Sequence, residues 1–308
     1  MLRLLSCLVA VSVTASTEAQ VSLRYNPSVT QGTVIRTEAE IETSQTLTIA
    51  GMPLETGANN FATIVTTIGP STATGGYTAT GEYEVLQADL SLPGGMKVAF
   101  NSNNPDVEPD NAQLAVIVDM LRAIAPAKWK LEMGADHKVL SAEYTGGPIT
   151  GVSDIFKNDT DPERLKDRSN NEVSRYATEP VNPGETWTRT ENHDLGSGQS
   201  FELDTEYTYA GPEEKDGHNL EKVTVKIHSA VLHVADNPAS PAKVTESDLK
   251  VDSSEGTLWY DPEQNLYIET EQKFRVTGSL TLSVNGMELP GELDLTMKSK
   301  SKSTVKAP

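Results

Sequence analysis

Apolar and polar residues alternate along much of this chain with a period of two, the spacing of a β-strand that buries one face and wets the other. From Ile35 the odd positions Ile35, Ala39, Ile41, Leu47 and Ile49 are mostly apolar, while Arg36, Glu38, Glu40, Glu42 and Thr48 hold the even ones. That predicts a strand of about fifteen residues, far beyond the usual five or six. Leu266, Ile268, Phe274, Val276, Leu280, Leu282 and Val284 share one parity against Glu269, Glu271, Lys273 and Arg275, which predicts a second very long strand, bent at Gly278. Phe201, Leu203, Tyr207 and Tyr209 alternate in the same way with Glu202, Asp204 and Glu206. After Asn219 the apolar parity runs through Val223, Val225 and Ile227, then slips to Ala230, Leu232 and Val234. Such a slip is the mark of a β-bulge or a sharp bend.

Helical spacing is scarce. Leu114, Ile117, Val118, Leu121 and Ile124 predict one helix, capped by Asp110 and stopped by Pro126. Val116 and Met120 widen its apolar face, so it is expected to be largely enclosed. A short, polar second helix is expected over Pro162 to Arg168, and any domain boundary falls between Gly151 and Pro183.

The two longest strands also share letters. Tyr25-Asn26-Pro27 matches Tyr260-Asp261-Pro262, Thr37-Glu38 matches Thr270-Glu271, Leu47-Thr48 matches Leu280-Thr281, and Gly51-Met52 with Leu54 matches Gly286-Met287 with Leu289. Two readings stand side by side: the letters that any Thr-rich amphipathic strands share, or a duplicated unit of turn, long strand and turn. Duplicates near the two ends of the chain would be equivalent strands of one sheet, close to each other.

Residues 1–19 read as a signal peptide: Arg3 supplies the positive start, Leu4 to Val13 the apolar core, and Thr17-Glu18-Ala19 the small residues before cleavage. That core is too short for a bilayer, which needs about 20 apolar residues, and no later segment qualifies as a transmembrane anchor of the mature chain. The only cysteine, Cys7, lies in the signal, so the mature chain has neither disulfides nor thiolate chemistry. A secreted protein built this way suits a bacterial periplasm or cell exterior, and the sequon Asn158-Asp159-Thr160 is then accidental. The 308 residues carry 44 acidic and 25 basic side chains, a net charge of −19. Acidity without a basic run excludes a nucleic-acid partner. Most of the acids fall on the polar parity of the strands, where they solvate exposed sheet faces.

Catalytic motifs are missing: there is no nucleophile elbow, phosphate loop, dinucleotide fingerprint or zincin helix. The five histidines are scattered. His228 and His233, five apart, are expected on opposite faces of a strand, a poor metal pair. His137, in Gly134-Ala135-Asp136-His137-Lys138, reads as part of a hairpin turn. The loop from Asn101 to Asp110 carries oxygen-bearing side chains at Asn101, Asn103, Asp106, Glu108 and Asp110, yet lacks the glycine and final glutamate of a regular calcium loop. A solvated loop with a helix cap is the simpler reading. Asp159, Asp161 and Glu163 suit the positive end of the second helix. No catalytic residue, metal ligand or cofactor is assigned, and the ligand-binding residues stay unknown at this level.

Pro180, Gly184 and Trp187 form a Pro-x-x-x-Gly-x-x-Trp turn, and Trp259-Tyr260-Asp261-Pro262 leads into the last long strand. Both tryptophans read as core anchors at sheet corners. With the strand that opens at Gly32, these features resemble a family of exported bacterial β-rich proteins classed as a domain of unknown function. A looser likeness is to periplasmic lipoprotein-carrier half-barrels. The resemblance covers the chain from about Val21 onward and implies no catalytic residues. It implies a large curved, half-barrel-like antiparallel sheet of long strands, with one enclosed α-helix and a short second one, as a single β-rich domain over 20–308. The family carries no known activity; the long strands apolar on one face, with a single enclosed helix, lead to the expectation of a non-enzymatic function, binding of a hydrophobic small molecule or lipid on the concave face. A structural or protein-interaction module of the cell envelope is the alternative, and a hydrolase with paired carboxylates a third.

Overall fold

Strands dominate the fold because alternation dominates the sequence. The structure is a computed structural model that describes residues 20–27, 29–106, 108, 109, 111, 114–147, 149, 150, 160–196, 199–234, 242–284 and 286–308. The expected signal peptide with Cys7, the helix cap Asp110, and Asn158 and Asp159 lie outside these residues. The strands are β1 (Val34–Ile49), β2 (Met52–Ser71), β3 (Tyr77–Leu92), β4 (Met96–Asn101), β5 (Lys128–Met133), β6 (Val139–Tyr144), β7 (Thr186–Gly196), β8 (Gln199–Lys215), β9 (His218–Val234), β10 (Ala242–Asp261), β11 (Leu266–Val284) and β12 (Met287–Lys306). Two helices accompany them among the described residues, α1 (Ala115–Ile124) and α2 (Pro162–Ser174).

All twelve strands belong to one antiparallel sheet, ordered β6-β5-β3-β2-β1-β12-β11-β10-β9-β8-β7, with β4 beside β3. The sheet is not closed by strand pairing. The first strand meets the last: Val34 lies opposite Lys306 and Ile49 opposite Gly291. The two similar segments of sequence occupy equivalent places. β1 and β11 flank β12 without pairing to each other, and each runs through a Gly-Met turn into its own partner strand, β2 or β12.

The parity slip in β9 is a bulge, since Thr205 faces Ile227 while Asp204 faces Ser229. This corrects the expectation for the histidines. The bulge at His228 restores the alternation one residue late, so His228 and His233 share the outward face, 3.6 Å from Glu206 and Glu202 respectively. Gly278 of β11, where the sequence predicts a bend, stays in register with both of its neighbours, Leu249 and Leu293. Gly278 has φ +153°, and a Cβ there would lie 2.1 Å from the Asp248 carbonyl oxygen of β10.

The β9–β10 ladder runs through Glu221–Val225 and Gly256–Tyr260, and just beyond it the Ile227 N–H donates to Ser254 Oγ at 2.8 Å. The far ends of β8 and β9 pack against the inward side chains of β11 and β12. Phe201, Leu203 and Ile227 there share one buried cluster with Phe274, Val276, Leu293, Leu295 and Met297. His193 of β7 meets Phe274 edge-on, with ring centroids 6.2 Å apart. A second cluster packs residues 21–25 and 176–181 onto the other end of β8 to β11. A third joins β3, β5 and β6 around Trp129, and a fourth seats α1 on β3 and β4.

Helix α1 keeps the expected stripe, with Leu114, Val118 and Leu121 buried, but β3 and β4 cover it from one side and Val116 remains 37% exposed. Helix α2 runs past the expected end at Arg168 to Ser174. Its N-terminus follows the sequence reading: Pro162 opens it, and the Asp161 carboxylate accepts the Glu163 N–H at 2.9 Å. Its extra length is held by side-chain hydrogen bonds, which leave no apolar period to read.

Candidate functional site

The inward face of the sheet changes character between its two halves. Cross-strand register puts Ala62, Ala39, Ser301 and Thr270 in one row over β2, β1, β12 and β11, and Asn60, Ile41, Ser299 and Gln272 in the next. All eight are half-buried, and seven of them belong to none of the apolar clusters, Ile41 alone packing against one. Small side chains on the inward parity fill little of the space in front of them. The hydroxyls satisfy one another across the strands: Thr270 and Ser301 are 2.8 Å apart, Thr37 and Ser303 2.9 Å. The outcome is a shallow trough floored by methyl, hydroxyl and amide groups. One bank is apolar through Ile64, Tyr83 and Trp129, the other through Phe274 and Met297.

The outward face of the same strands is charged. Glu38, Glu40 and Glu42 of β1 lie opposite Lys302, Lys300 and Lys298 of β12. Lys302 and Lys300 in turn face Glu269 and Glu271 of β11. Lys298 reaches Glu42 at 2.9 Å and Lys300 reaches Glu271 at 3.3 Å. This is the reverse of a transmembrane β-barrel, whose outward band is apolar. No helix among the described residues is long and apolar enough to cross a membrane.

The open side of the sheet is spanned by α2. It lies between β6 and β7, the two edge strands. Asn170 accepts the Val139 N–H of β6 at 2.8 Å and donates to the Val139 carbonyl at 3.1 Å, the bonds that a neighbouring strand would have made. One residue on, Asn171 donates to the Asn192 carbonyl of β7 at 2.8 Å. Just past the helix, Arg175 donates to Glu191 of β7 at 3.0 Å and to Glu172 at 2.8 Å. The Tyr207 hydroxyl also donates to Glu191, and Trp187 stacks on Tyr207 while donating to the Arg175 carbonyl at 2.9 Å. Burial pushes the Tyr207 hydroxyl well above its usual pKa, with the Glu191 charge adding to it.

An aromatic seam ties the N-terminal segment to the far side of the sheet. Tyr25 meets Tyr176 and His137 edge-on, at centroid distances of 5.3 and 5.7 Å. His137 sits at φ +61° in the expected β5–β6 turn, 3.3 Å from the Tyr77 hydroxyl and 3.1 Å from Asn26 Oδ1. Those contacts suit a neutral ring that accepts at Nδ1 and donates from Nε2, and burial lowers its pKa accordingly. Burial also raises the Tyr25 hydroxyl to about 12.

Sequence reasoning did not locate the trough. Its floor is defined by register between strands far apart in the chain, and the only local trace is the run of serines at alternate positions from Ser299 to Ser303. The Arg175–Glu191–Tyr207 group left no spacing signal either. Trp187 and Trp259 are both held as anchors, but Trp259 is buried on the outward face under Lys215, whose Nζ lies 3.2 Å from the ring centroid. In the loop after β4, Asn101 Oδ1 caps the Asn103 N–H at 2.9 Å, and Glu108 pairs with Arg122 at 3.6 Å. Among the described residues no group of three His, Cys, Asp or Glu side chains is placed to hold a metal ion. Hydrogen bonds lower the carboxylate pKa of Glu185, Glu213, Asp252 and Asp294, through Asn182, Lys222, Thr277 and Arg275 respectively. A separate cleft of about 350 Å³ lies beside the α1–β5 connection, and its lysine, Lys128, is paired with Glu82.

No family model matches the chain, and no curated protein sequence matches it. Similar solved structures include lipovitellin, studied for its lipid–protein interactions, at 11% identity and a TM-score of 0.42 over 91% of this chain. The chain spans 25% of the lipovitellin chain it matches. A DUF1329 family protein from Desulfovibrio piger is similar at 7% identity and a TM-score of 0.14, over 84% of this chain and 83% of that one. An outer membrane lipoprotein-sorting protein domain from Vibrio parahaemolyticus is similar at 9% identity and 0.16, over 90% and 86%. Likeness at this level carries no argument, and the reading of the site rests on its own residues.

Proposed function

We propose that this is a non-enzymatic, exported protein of the bacterial envelope or exterior, acting as a single domain that holds a lipid-like molecule in the trough of its concave face. The observation that carries this reading is the pairing of two faces. The outward face is laced with ion pairs, while the inward face leaves half-buried rows of Ala, Ser, Thr, Asn and Gln between two apolar banks. An acyl chain would lie along the banks, and an ester or headgroup oxygen would meet the hydroxyls and amides of the floor. Part of the concave face, under β8 and β9, is filled by the protein's own side chains. That restricts the ligand to the Ala39–Ala62 end.

Native mass spectrometry of the purified protein, followed by organic extraction, tests this. A lipid adduct is expected on the wild-type chain. Placing an indole over the floor with Ala39→Trp or Ala62→Trp is expected to lower its occupancy about tenfold, as steric exclusion from a packed site does. Recovery of the bare polypeptide mass from the wild type would overturn the reading. The interaction-module reading draws on a different observation, the exposed apolar tips of the β1–β2 and β11–β12 hairpins.

A further inference from the structure

Three hairpins end at the same side of the sheet, and each turns through glycine into methionine. The β1–β2 connection is Ile49-Ala50-Gly51-Met52, the β3–β4 connection Leu92-Pro93-Gly94-Gly95-Met96, and β12 opens with Gly286-Met287 after β11. Gly51, Gly94, Gly95 and Gly286 have φ near +80°, and nothing lies within 4 Å of where their Cβ atoms would be. Met52 is 66% exposed, Met287 62% and Leu54 38%. These are among the few large apolar side chains that the described surface exposes. The tips are stepped, since Ile49 is level with Gly291 and Met287 projects beyond it, whereas Ser91 is level only with Gly57. The β1–β2 and β11–β12 tips, the foremost of the three, form the leading rim of that end of the sheet. Register also places Met52, Leu54, Met96, Met287 and Leu289 on the inward parity, the same side as the trough floor.

The charges around the rim identify what it suits. Between Ala50 and Leu54, Pro93 and Met96, and Gly286 and Met287 no residue is charged. Behind the apices, exposed and on the outward parity, stand the acids Glu55, Glu288 and Glu292, with two cations near them, Lys97 on β4 and Lys243 on β10, the latter level with Ser283 and so with Glu288. An apolar apex backed by an acidic collar is complementary to a neutral or zwitterionic lipid surface and repelled by an anionic one. Methionine suits such a contact, because its unbranched thioether adapts to an irregular acyl surface.

We infer that these hairpin tips form a docking rim for zwitterionic phospholipid bilayers, with Met52 and Met287 entering the lipid. The rim depends on the fold alone, so it stands or falls separately from the ligand proposed for the trough.

Co-sedimentation with phosphatidylcholine vesicles tests the rim. The wild-type protein is expected to pellet with the vesicles. The double variant Met52→Ser with Met287→Ser is expected to lose about tenfold or more in partitioning, while Met52→Leu with Met287→Leu keeps it. Both pairs are exposed, so circular dichroism is expected to match the wild type. Adding an anionic phospholipid is expected to weaken binding. Mild peroxide is expected to abolish wild-type binding and spare the double leucine variant, because sulfoxide formation makes the apices polar. Vesicle binding that is absent, unchanged by serine, or strengthened by anionic lipid would overturn the inference. So would self-association that the serine variant abolishes in a chain that ignores vesicles, which would assign the tips to a second copy instead.

Discussion

Arg175 shows why a single side chain can decide whether the open side of this sheet holds. It is only 20% exposed, and its charge is answered by Glu191, 9% exposed, and by Glu172 at the helix end. Glu191→Ala removes the buried partner of Arg175 and the acceptor of the Tyr207 hydroxyl together. We expect a loss of about 2–3 kcal/mol in chemical denaturation, below the largest values for buried pairs because Glu172 remains. Tyr207→Phe leaves the ion pair intact, and about 1 kcal/mol is expected. His137 supplies a pH dependence. Burial lowers its folded-state pKa below the ordinary 6.5, so as the pH falls the unfolded chain takes up the proton first. The stability tied to the neutral ring is whole above about pH 6.5 and is lost as the pH drops below it. Melting temperatures from pH 7.5 down to 5 are expected to fall more steeply for the wild type than for His137→Gln. A wild-type slope equal to that of the variant would show that the turn does not feel the titration.

The elements were legible in proportion to how local their causes are. Alternation in Ile35–Ile49 and Phe201–Tyr209 produced β1 and β8, and the slip after Ile227 produced the bulge. The effect of that slip on His228 and His233 follows only when the spacing is counted through the bulge and not along the letters. The stretch Lys298–Lys306 carries almost no apolar signal, yet it completes β12, because Lys300 and Lys302 face glutamates on both neighbouring strands, Lys298 faces Glu42 on β1, and its serines face the trough. Helix α2 is the element that the pattern undercounted, since Asn170 and Asn171 hold it through bonds to β6 and β7. Gly278 marks where a strand has no room for a side chain. Gly278→Ala would press a Cβ against the β10 backbone in a conformation that L-residues rarely adopt. A cost of roughly 3 kcal/mol is expected by denaturant titration. An unchanged midpoint would mean that β10 and β11 separate there without penalty.

At the scale of the whole molecule, the open sheet and the seam that spans it come from pairings no local pattern announces. β1 finds β12 from the other end of the sequence, and α2 meets two edge strands that the sheet order places farthest apart. The trough exists because those meetings put small and polar side chains from four strands side by side. That β1 lies between β2 and β12 also orders events in time. A chain synthesised N-terminus first must hold its opening strand half-paired until Lys298–Lys306 has emerged, with Ile35, Ile41 and Leu47 uncovered meanwhile. Non-local pairing of this kind is slow and leaves transient strand edges open to association. The alternating glutamates of β1, which later pair with lysines, are on hand throughout that wait to keep the edge soluble.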